Sequence, residues 1–234
     1  MRVLFIGNSH TYFNDMPQLF RRMCAALTGE TPEVTMLAYS DRSLAWHREE
    51  YFAVRFALLY GQYDYCVLQQ QAHPFPGEDE TFAAAERIAR LCTAGGTQPV
   101  VYMTWAQRAE PEMTAVMSRC YRALAARLDA PLIPVGEAFE RMQRERPDID
   151  LYWHDGAHAS PYGDYLIAAL LAGRLCGCAD LAPLDDAAID FRCDFAGEDG
   201  LPLALEDAAA AAVTLDADKT AALRAVAERL LREA

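Results

Sequence analysis

Lysine is almost absent from this sequence: Lys219 stands alone against twenty arginines, and acidic residues outnumber basic ones by 34 to 21. The resulting net charge of −13 at pH 7 argues against attraction to nucleic acid or to an anionic membrane through the overall field of the protein. The arginines are scattered along the chain, which argues against an arginine-rich binding surface. We therefore expect no nucleic-acid partner.

Long apolar runs are missing as well. No stretch is long enough to span a bilayer. The first residues also lack the basic segment, the apolar run and the small-residue cleavage site of a signal peptide. We expect no membrane partner and a cytoplasmic location, and the sequence leaves the oligomeric state open.

Paired cysteines are not evident among the seven that the chain contains. The number is odd and most of them lie in apolar helical or strand patterns, so we expect buried free thiols. Only one residue separates Cys176 from Cys178, which is too short a spacing for a zinc site, and no second pair completes it. The prediction is no bound metal and no cofactor.

Apolar residues, by contrast, make up 53% of the 234 positions, which is ample for a core. At this length we expect a single domain over residues 1–234. The pattern is regular over residues 1–178, which we take as the core of that domain. Over residues 179–234 it weakens before a final amphipathic helix, so we predict a C-terminal extension that packs on the core.

Short apolar runs alternate with helical patterns along the core. Five strands are predicted, at "RVLFIG", "EVTMLAY", "YDYCVLQQQ", "QPVVYMTWA" and "APLIPVG". Strands that alternate with helices form a parallel sheet with helices on both faces. The fold class is therefore α/β, a three-layer α/β/α sandwich, and a flavodoxin-like strand order of 2-1-3-4-5 suits five strands.

Polar residues follow four of these strands. The clusters are Asn8-Ser9-His10, Ser40-Asp41-Arg42-Ser43, Gln69-Gln70-Gln71 and Thr104-Trp105. The carboxyl ends of parallel strands share one edge of the sheet, where ligands bind in open α/β folds. We expect a functional site at this edge.

Ser9 follows a buried strand at once, so it is either a helix cap or a nucleophile. A nucleophilic serine needs a base and a group that orients the base. The segment "HDGAH" provides both, because Asp155 and His158 are three residues apart in a loop that leads into a helix. At that spacing the carboxylate can hydrogen-bond one ring nitrogen and leave the other facing outward.

The same stretch allows a metal site instead. His154, Asp155 and His158 are ligand types that suit zinc or iron, and His10 and His73 are candidates for a further ligand. This alternative predicts a metal-dependent phosphoesterase.

The segments "FIGNSHT", "QQQ" and "DGAHASPYG" resemble three blocks of the SGNH (GDSL-like) hydrolase superfamily, in the branch whose first block reads GNS and whose third block carries glutamines. The resemblance implies a serine esterase with Ser9 as nucleophile, His158 as base and Asp155 as its orienting acid. It also implies an oxyanion hole made by backbone N–H groups of Ser9 and of the second block, together with a side-chain amide of the third block.

The sequence departs from the family in all three of the blocks around the oxyanion hole, and in the first of them Asn8 replaces the usual aspartate beside the nucleophile. Asp41 stands near the position of the family's glycine, where the turn could require a positive φ. Gln69 or Gln71 would supply the amide in place of asparagine, and we favour Gln69 because it lies nearest the strand end. The substrate pocket is predicted at four residues near these blocks: Asn8, His10, Arg42 and Trp105.

The expected function is hydrolysis of a small ester, an acetyl ester on a carbohydrate, through an acyl-enzyme on Ser9. The partner would be a small-molecule or glycan ester. A carbohydrate-binding protein that keeps this fold without the chemistry is the main alternative, because Asn8 and Asp41 depart from the family pattern.

Overall fold

A computed structural model describes residues 1–184, 191–192 and 212–233 of the chain. The chain divides into two compact units. The first consists of Met1–Thr11 and Pro32–Glu137, and the second of Tyr12–Thr31 and the described residues from Ala138 onward. Much of the predicted extension over residues 179–234, including Cys193, lies outside the described residues.

The first unit contains a five-stranded parallel sheet. Its strands are β1 (Arg2–Gly7), β2 (Glu33–Ala38), β3 (Tyr65–Gln69), β4 (Gln98–Tyr102) and β5 (Leu132–Ile133). The strand order is β2-β1-β3-β4-β5, which confirms the predicted order. The inner strand β1 is apolar and buried from Val3 to Ile6, as expected of a strand that is covered on both faces.

Four helices belong entirely to the first unit. They are α3 (Leu44–Glu49), α4 (Tyr51–Tyr60), α5 (Glu78–Ala94) and α6 (Met113–Leu128). Ser43 begins α3 by accepting a hydrogen bond from the N–H of Trp46, at 3.2 Å. Buried residues of these helices, such as Leu58, Ile88 and Leu124, share one apolar core with β1, β3 and β4.

Two helices begin in the first unit and end in the second: α1 (Ser9–Tyr12) and α7 (Val135–Glu145). A 3-10 turn, Phe13–Asp15, follows α1 directly. Asp15 then occupies the position before α2, but its side chain makes no capping hydrogen bond. Both Asn14 and Asp15 adopt left-handed backbone conformations, with φ of 49° and 54°.

The second unit is mainly helical. Its other elements are α2 (Met16–Thr28), α8 (Pro161–Leu175), α9 (Ala217–Glu233), a 3-10 turn (Ala182–Leu184) and two short antiparallel strands, β6 (Phe191–Arg192) and β7 (Ala212–Val213). Helix α8 is buried over nearly its whole length and packs against both α2 and α9. Ser160 caps it and Pro161 opens its first turn, as the sequence indicates.

The final amphipathic helix that the sequence predicts is α9. It begins after Asp216, whose carboxylate accepts the N–H of Lys219 at 3.0 Å. Leu223, Val226 and Leu230 are buried on its apolar face.

All six described cysteines have free thiols, and four of them are buried: Cys24, Cys66, Cys92 and Cys120. Over the described ranges, no helix combines the length and the apolar character needed to cross a membrane.

Candidate active site

The end of β1 places Ser9 at the start of α1. Asn8, which is 2% exposed, holds the turn on both sides of it. Its Oδ1 accepts the N–H of His10 at 3.0 Å, and its Nδ2 donates to the carbonyl of Arg42 at 3.1 Å. The backbone around Ser9 is therefore fixed by a buried amide, while Ser9 itself is partly exposed.

Gln69 ties the end of β3 to the same turn. Its Oε1 accepts the N–H of Asn8 at 2.7 Å and the hydroxyl of Thr11 at 2.9 Å, and its Nε2 donates to the carbonyl of Gln70 at 2.6 Å. The side chain is fully buried. These contacts are those of a residue that positions the Ser9 turn, and the role of Gln69 as an oxyanion donor stays a prediction.

Gln71 lies in a different environment from Gln69. It is partly exposed, and its Nε2 donates to Asp41 Oδ1 at 3.0 Å. Gln70, between them, is buried: its Oε1 accepts the N–H groups of Leu44, at 2.8 Å, and of Gln71, at 2.9 Å. Of the two glutamines predicted at the oxyanion hole, Gln71 is therefore the one whose amide nitrogen reaches the surface.

Asp41 occupies the turn after β2 with φ of 58°. This is the left-handed region that glycine adopts easily and aspartate adopts more readily than most residues. The turn therefore forms without the family's glycine. The N–H of Arg42 donates to the carbonyl of Tyr39 at 3.2 Å, whereas the N–H of Asp41 has no hydrogen-bond partner among the described residues.

The predicted pocket residues differ in exposure. Arg42 is exposed, and its guanidinium lies 5.2 Å from the centre of the Trp46 ring. His10 is 7% exposed and Trp105 only 1%, and their ring centres are 4.9 Å apart. The clusters after β1, β2, β3 and β4 thus meet at one edge of the sheet, as predicted, while the contact of any of these residues with a substrate stays a prediction.

His47 is a residue of this edge that the sequence analysis missed. It is 1% exposed, and its Nε2 lies 2.8 Å from the carbonyl oxygen of Gly7, to which it donates. Burial lowers the pKa of His47, and the hydrogen bond to Gly7 acts in the opposite direction. The spacing of three residues between His47 and Leu44 could have predicted the burial of His47, because both positions fall on one face of α3.

The loop before α8 holds Asp155 and His158 in the second unit. Asp155 Oδ2 lies 2.6 Å from His158 Nδ1, which confirms the predicted contact. Asp155 Oδ1 accepts the N–H groups of Ala157, at 2.8 Å, and of His158, at 3.0 Å. Burial acts to raise the pKa of Asp155, but these three hydrogen bonds outweigh it, so that the pKa lies below its ordinary value.

The tautomer of the neutral ring follows from this contact. An ionised carboxylate only accepts hydrogen bonds, so His158 Nδ1 carries a proton, and in the neutral ring Nε2 is the nitrogen that can act as a base. Phe13, from the 3-10 turn after α1, stacks on the imidazole with ring centres 4.5 Å apart and planes inclined by 20°. Nothing in the sequence pattern predicts Phe13 at this position.

Ser9 belongs to the first unit, and Asp155 and His158 belong to the second. The meeting of all three residues stays a prediction. No group of three or more side chains suited to a metal ion occurs within residues 1–184, 191–192 and 212–233. His154, Asp155 and His158, the ligands of the alternative metal site, therefore do not form such a group in this part of the chain.

No protein-family model matches this sequence, and no curated protein matches it. Solved structures do match the fold. A lipase/acylhydrolase from Enterococcus faecalis is 16% identical with a TM-score of 0.55, over 76% of this chain and 96% of that one. A member of the lipolytic G-D-S-L family from Veillonella parvula is 13% identical with a TM-score of 0.57, over 75% and 97% of the two chains.

A third similar structure is the psychrotrophic esterase EstA from Pseudoalteromonas sp., in a form inhibited by monoethylphosphonate. It is 10% identical with a TM-score of 0.53, and the match covers 71% of this chain and 92% of that one. At these identities the likeness establishes the architecture alone. The chain has the α/β fold of the GDSL-like lipases, esterases and acylhydrolases.

Proposed function

We propose that the protein is a serine hydrolase that cleaves a small carboxylic ester through an acyl-enzyme on Ser9. The observation that carries the proposal is the contact of 2.6 Å between Asp155 Oδ2 and His158 Nδ1. It leaves Nε2 as the ring nitrogen that takes a proton, which is the tautomer that a serine hydrolase needs. The shared fold with lipases and esterases supports the same chemistry.

In the proposed reaction, His158 Nε2 takes the proton of the Ser9 hydroxyl as Ser9 Oγ attacks the ester carbonyl carbon. The tetrahedral intermediate collapses, the bond to the alkoxy oxygen breaks, and His158 gives the proton to the departing alcohol. Water then attacks the acyl-enzyme with His158 again as base, which releases the carboxylic acid and restores Ser9. Asp155 stabilises the imidazolium formed in each half of the reaction.

We place the oxyanion donors at the backbone N–H groups of Ser9 and Asp41 and at the side-chain amide of Gln71. The Asp41 N–H is supported by its lack of a partner among the described residues, since the neighbouring Arg42 N–H is occupied by Tyr39. Gln71 is supported by its partly exposed position beside Asp41. We favour Gln71 over Gln69 because Gln69 is fully buried, whereas Gln71 is partly exposed, although the Nε2 of each already donates one hydrogen bond or more.

For the substrate we propose an acetyl group on a carbohydrate alcohol. Asp41, Arg42 and Gln71 are polar and at least partly exposed next to the Ser9 turn, and they offer both donors and acceptors to a sugar. The rival, a carbohydrate-binding protein without hydrolysis, is based on the departures at Asn8 and Asp41. Asn8 holds the turn around Ser9 through its hydrogen bonds to His10 and Arg42. Asp41 adopts a positive φ without glycine, so this departure does not count against hydrolysis.

The test combines turnover of a chromogenic acetate ester with labelling by an organophosphonate. The wild type should hydrolyse the ester and take up one label, and Ser9→Ala should lose both. Ser40→Ala is the matched control, since Ser40 is an exposed serine of the neighbouring turn, and it should behave as the wild type. Labelling that persists in Ser9→Ala, or glycan binding by a wild type without turnover, would contradict the proposal.

A further inference from the structure

Asn14 is buried in a conformation that few residues adopt. Its side chain is 0% exposed, and its backbone lies in the left-handed region with φ of 49° and ψ of 28°. Outside glycine, asparagine and aspartate are the residues that enter this region most readily. A strained backbone of this kind persists only where the surrounding contacts stabilise it, so the side-chain contacts of Asn14 indicate its role.

Those contacts lead to the segment that carries the proposed base. Asn14 Nδ2 donates to the carbonyl of Ala159 at 2.9 Å and to Asp164 Oδ2 at 2.6 Å. Ala159 is the residue that follows His158. Both protons of the Asn14 amide are therefore used on residues that lie 145 and 150 positions further along the chain.

Asp164 is an unusual partner, because it is a carboxyl group 1% exposed in the first turn of α8. Its Oδ1 has no hydrogen-bond partner in the described parts of the chain. Burial raises the pKa of Asp164 well above its ordinary range, and the hydrogen bond from Asn14 works against that effect. The Asp164 carboxyl thus accepts a hydrogen bond from Asn14 at a position almost without contact with water.

Three contacts then fix the His158 segment in three directions. Asp155 holds the edge of the imidazole at Nδ1, Phe13 covers its face, and Asn14 holds the next carbonyl in the chain. Phe13 and Asn14 come from the same 3-10 turn. This turn therefore acts on both the ring and the backbone of the base.

We propose that Asn14 is a positioning residue for His158. It keeps Ala159 in place, and through it the orientation of the imidazole at the end of its loop. The catalytic part of this inference rests on the function proposed above, and the structural part does not. Small displacements of a catalytic group cost rate while binding is preserved, so kcat is the parameter that Asn14 should control.

The principal variant is Asn14→Gly, because glycine keeps the left-handed backbone without strain and removes only the side-chain hydrogen bonds. We expect kcat for the acetate ester to fall by roughly 10- to 100-fold with KM nearly unchanged. Asp129→Gly is the matched control: Asp129 has φ of 48°, is exposed at the end of α6, and should keep wild-type kinetics.

A second readout needs no enzymatic activity. With histidine labelled by nitrogen-15, the proton shared by His158 Nδ1 and Asp155 should give a low-field resonance, assigned by its loss in His158→Gln. We expect this resonance in the wild type and in Asp129→Gly, and its loss or exchange broadening in Asn14→Gly. If Asn14→Gly does not fold by circular dichroism, Asn14→Asp keeps the volume but offers at most one O–H in place of two N–H donors. At least one of the two hydrogen bonds is then lost, and both readouts should change in the same direction.

The two readouts separate the two proposals. A wild type without turnover would reject the hydrolase, while the resonance would still decide whether Asn14 orders His158. An unchanged resonance in the folded Asn14 variant would overturn the positioning role, whether or not kcat falls. An unchanged kcat in that variant, with turnover in the wild type, would overturn it as well.

Discussion

Gln69 reaches 61 positions back along the chain to hold the turn around Ser9, whereas Asp155 holds His158 from three positions away. The first contact is fully buried, and the second lies at the surface, with 38% of the Asp155 side chain exposed. The position of the proposed nucleophile thus depends on buried contacts of the sheet, and that of the base depends on a loop contact at the surface, which the turn around Phe13 and Asn14 supports. Damage to the first should destabilise the protein, and damage to the second should spare the fold and greatly slow the reaction.

The largest effect on activity within this comparison is expected for Asp155→Ala. The change removes the acceptor of three hydrogen bonds and the group that orients the imidazole. We expect kcat/KM for the acetate ester to fall roughly 10³- to 10⁴-fold. The free energy of unfolding in urea should change by no more than about 1 kcal/mol, since the pair is partly exposed. A large loss of stability with modest loss of turnover would reverse the assignment.

Gln69→Leu should show the opposite behaviour. The buried N–H of Asn8 and the hydroxyl of Thr11 lose their acceptor, and each unsatisfied buried group costs about 1–3 kcal/mol. We expect the free energy of unfolding to fall by about 2–4 kcal/mol, and Gln71→Leu, at the surface, to change it by less than about 1 kcal/mol. A stable Gln69→Leu protein without turnover would restore Gln69 as an oxyanion donor.

Two aspartates of the second unit should respond to pH with opposite signs. The pKa of Asp164 is raised in the folded protein, so the native state holds this proton more tightly than the unfolded chain does. Its contribution to stability is therefore present at low pH, and it is lost as the pH rises from the unfolded value of about 3.9 through the folded pKa. The pKa of Asp155 is lowered, so its contribution is lost as the pH falls through the folded value.

Asp164→Asn isolates the first of these effects. The amide is neutral and nearly the same shape, so the variant should gain stability over the wild type as the pH rises and show no gain below about pH 4. Urea unfolding at a series of pH values measures the difference. A constant offset across the whole series would mean that Asp164 does not titrate with folding.

The smallest effect is expected at Asp41. Its positive φ suits glycine, so Asp41→Gly should leave the free energy of unfolding within about 0.5 kcal/mol of the wild type. Asp41→Ala should be less stable by about 1 kcal/mol, because alanine enters the left-handed region at a cost. Turnover by Asp41→Gly should stay close to that of the wild type, since the proposed donor is the backbone N–H. Loss of turnover in this variant would assign the carboxylate itself to the site.

The sheet and the Asp155–His158 pair could be predicted because both are local in the sequence. Apolar runs such as Val3–Ile6 identify buried strands, and alternation with helices makes them parallel. A spacing of three residues in a short loop puts a carboxylate within reach of an imidazole, whereas the supporting contacts of Phe13 and Asn14 come from far along the chain and could not be read from that spacing.

The different environments of Gln69 and Gln71 could not be predicted from the alternation of side chains along a strand. Gln69 and Gln71 would share one face if the strand continued, but β3 ends at Gln69. The alternation therefore stops, and one side chain is buried against the Ser9 turn while the other meets Asp41 at the surface. The contacts of Phe13 and Asn14 with the His158 segment could not be predicted either. In the sequence, a left-handed turn before a helix cannot be told from an ordinary helix start.

The pairing of α2 with α8 bears on how the protein is made. Residues 16–28 leave the ribosome early, but the helix that covers Leu19, Phe20 and Met23 consists of residues 161–175. At synthesis rates of about 5–20 residues per second, this apolar face waits roughly 7 to 27 seconds for its partner. Strand β1 has emerged before α2, and the other four strands of the sheet emerge during that interval. A nascent chain of this protein should therefore present α2 to chaperones while its sheet is already forming.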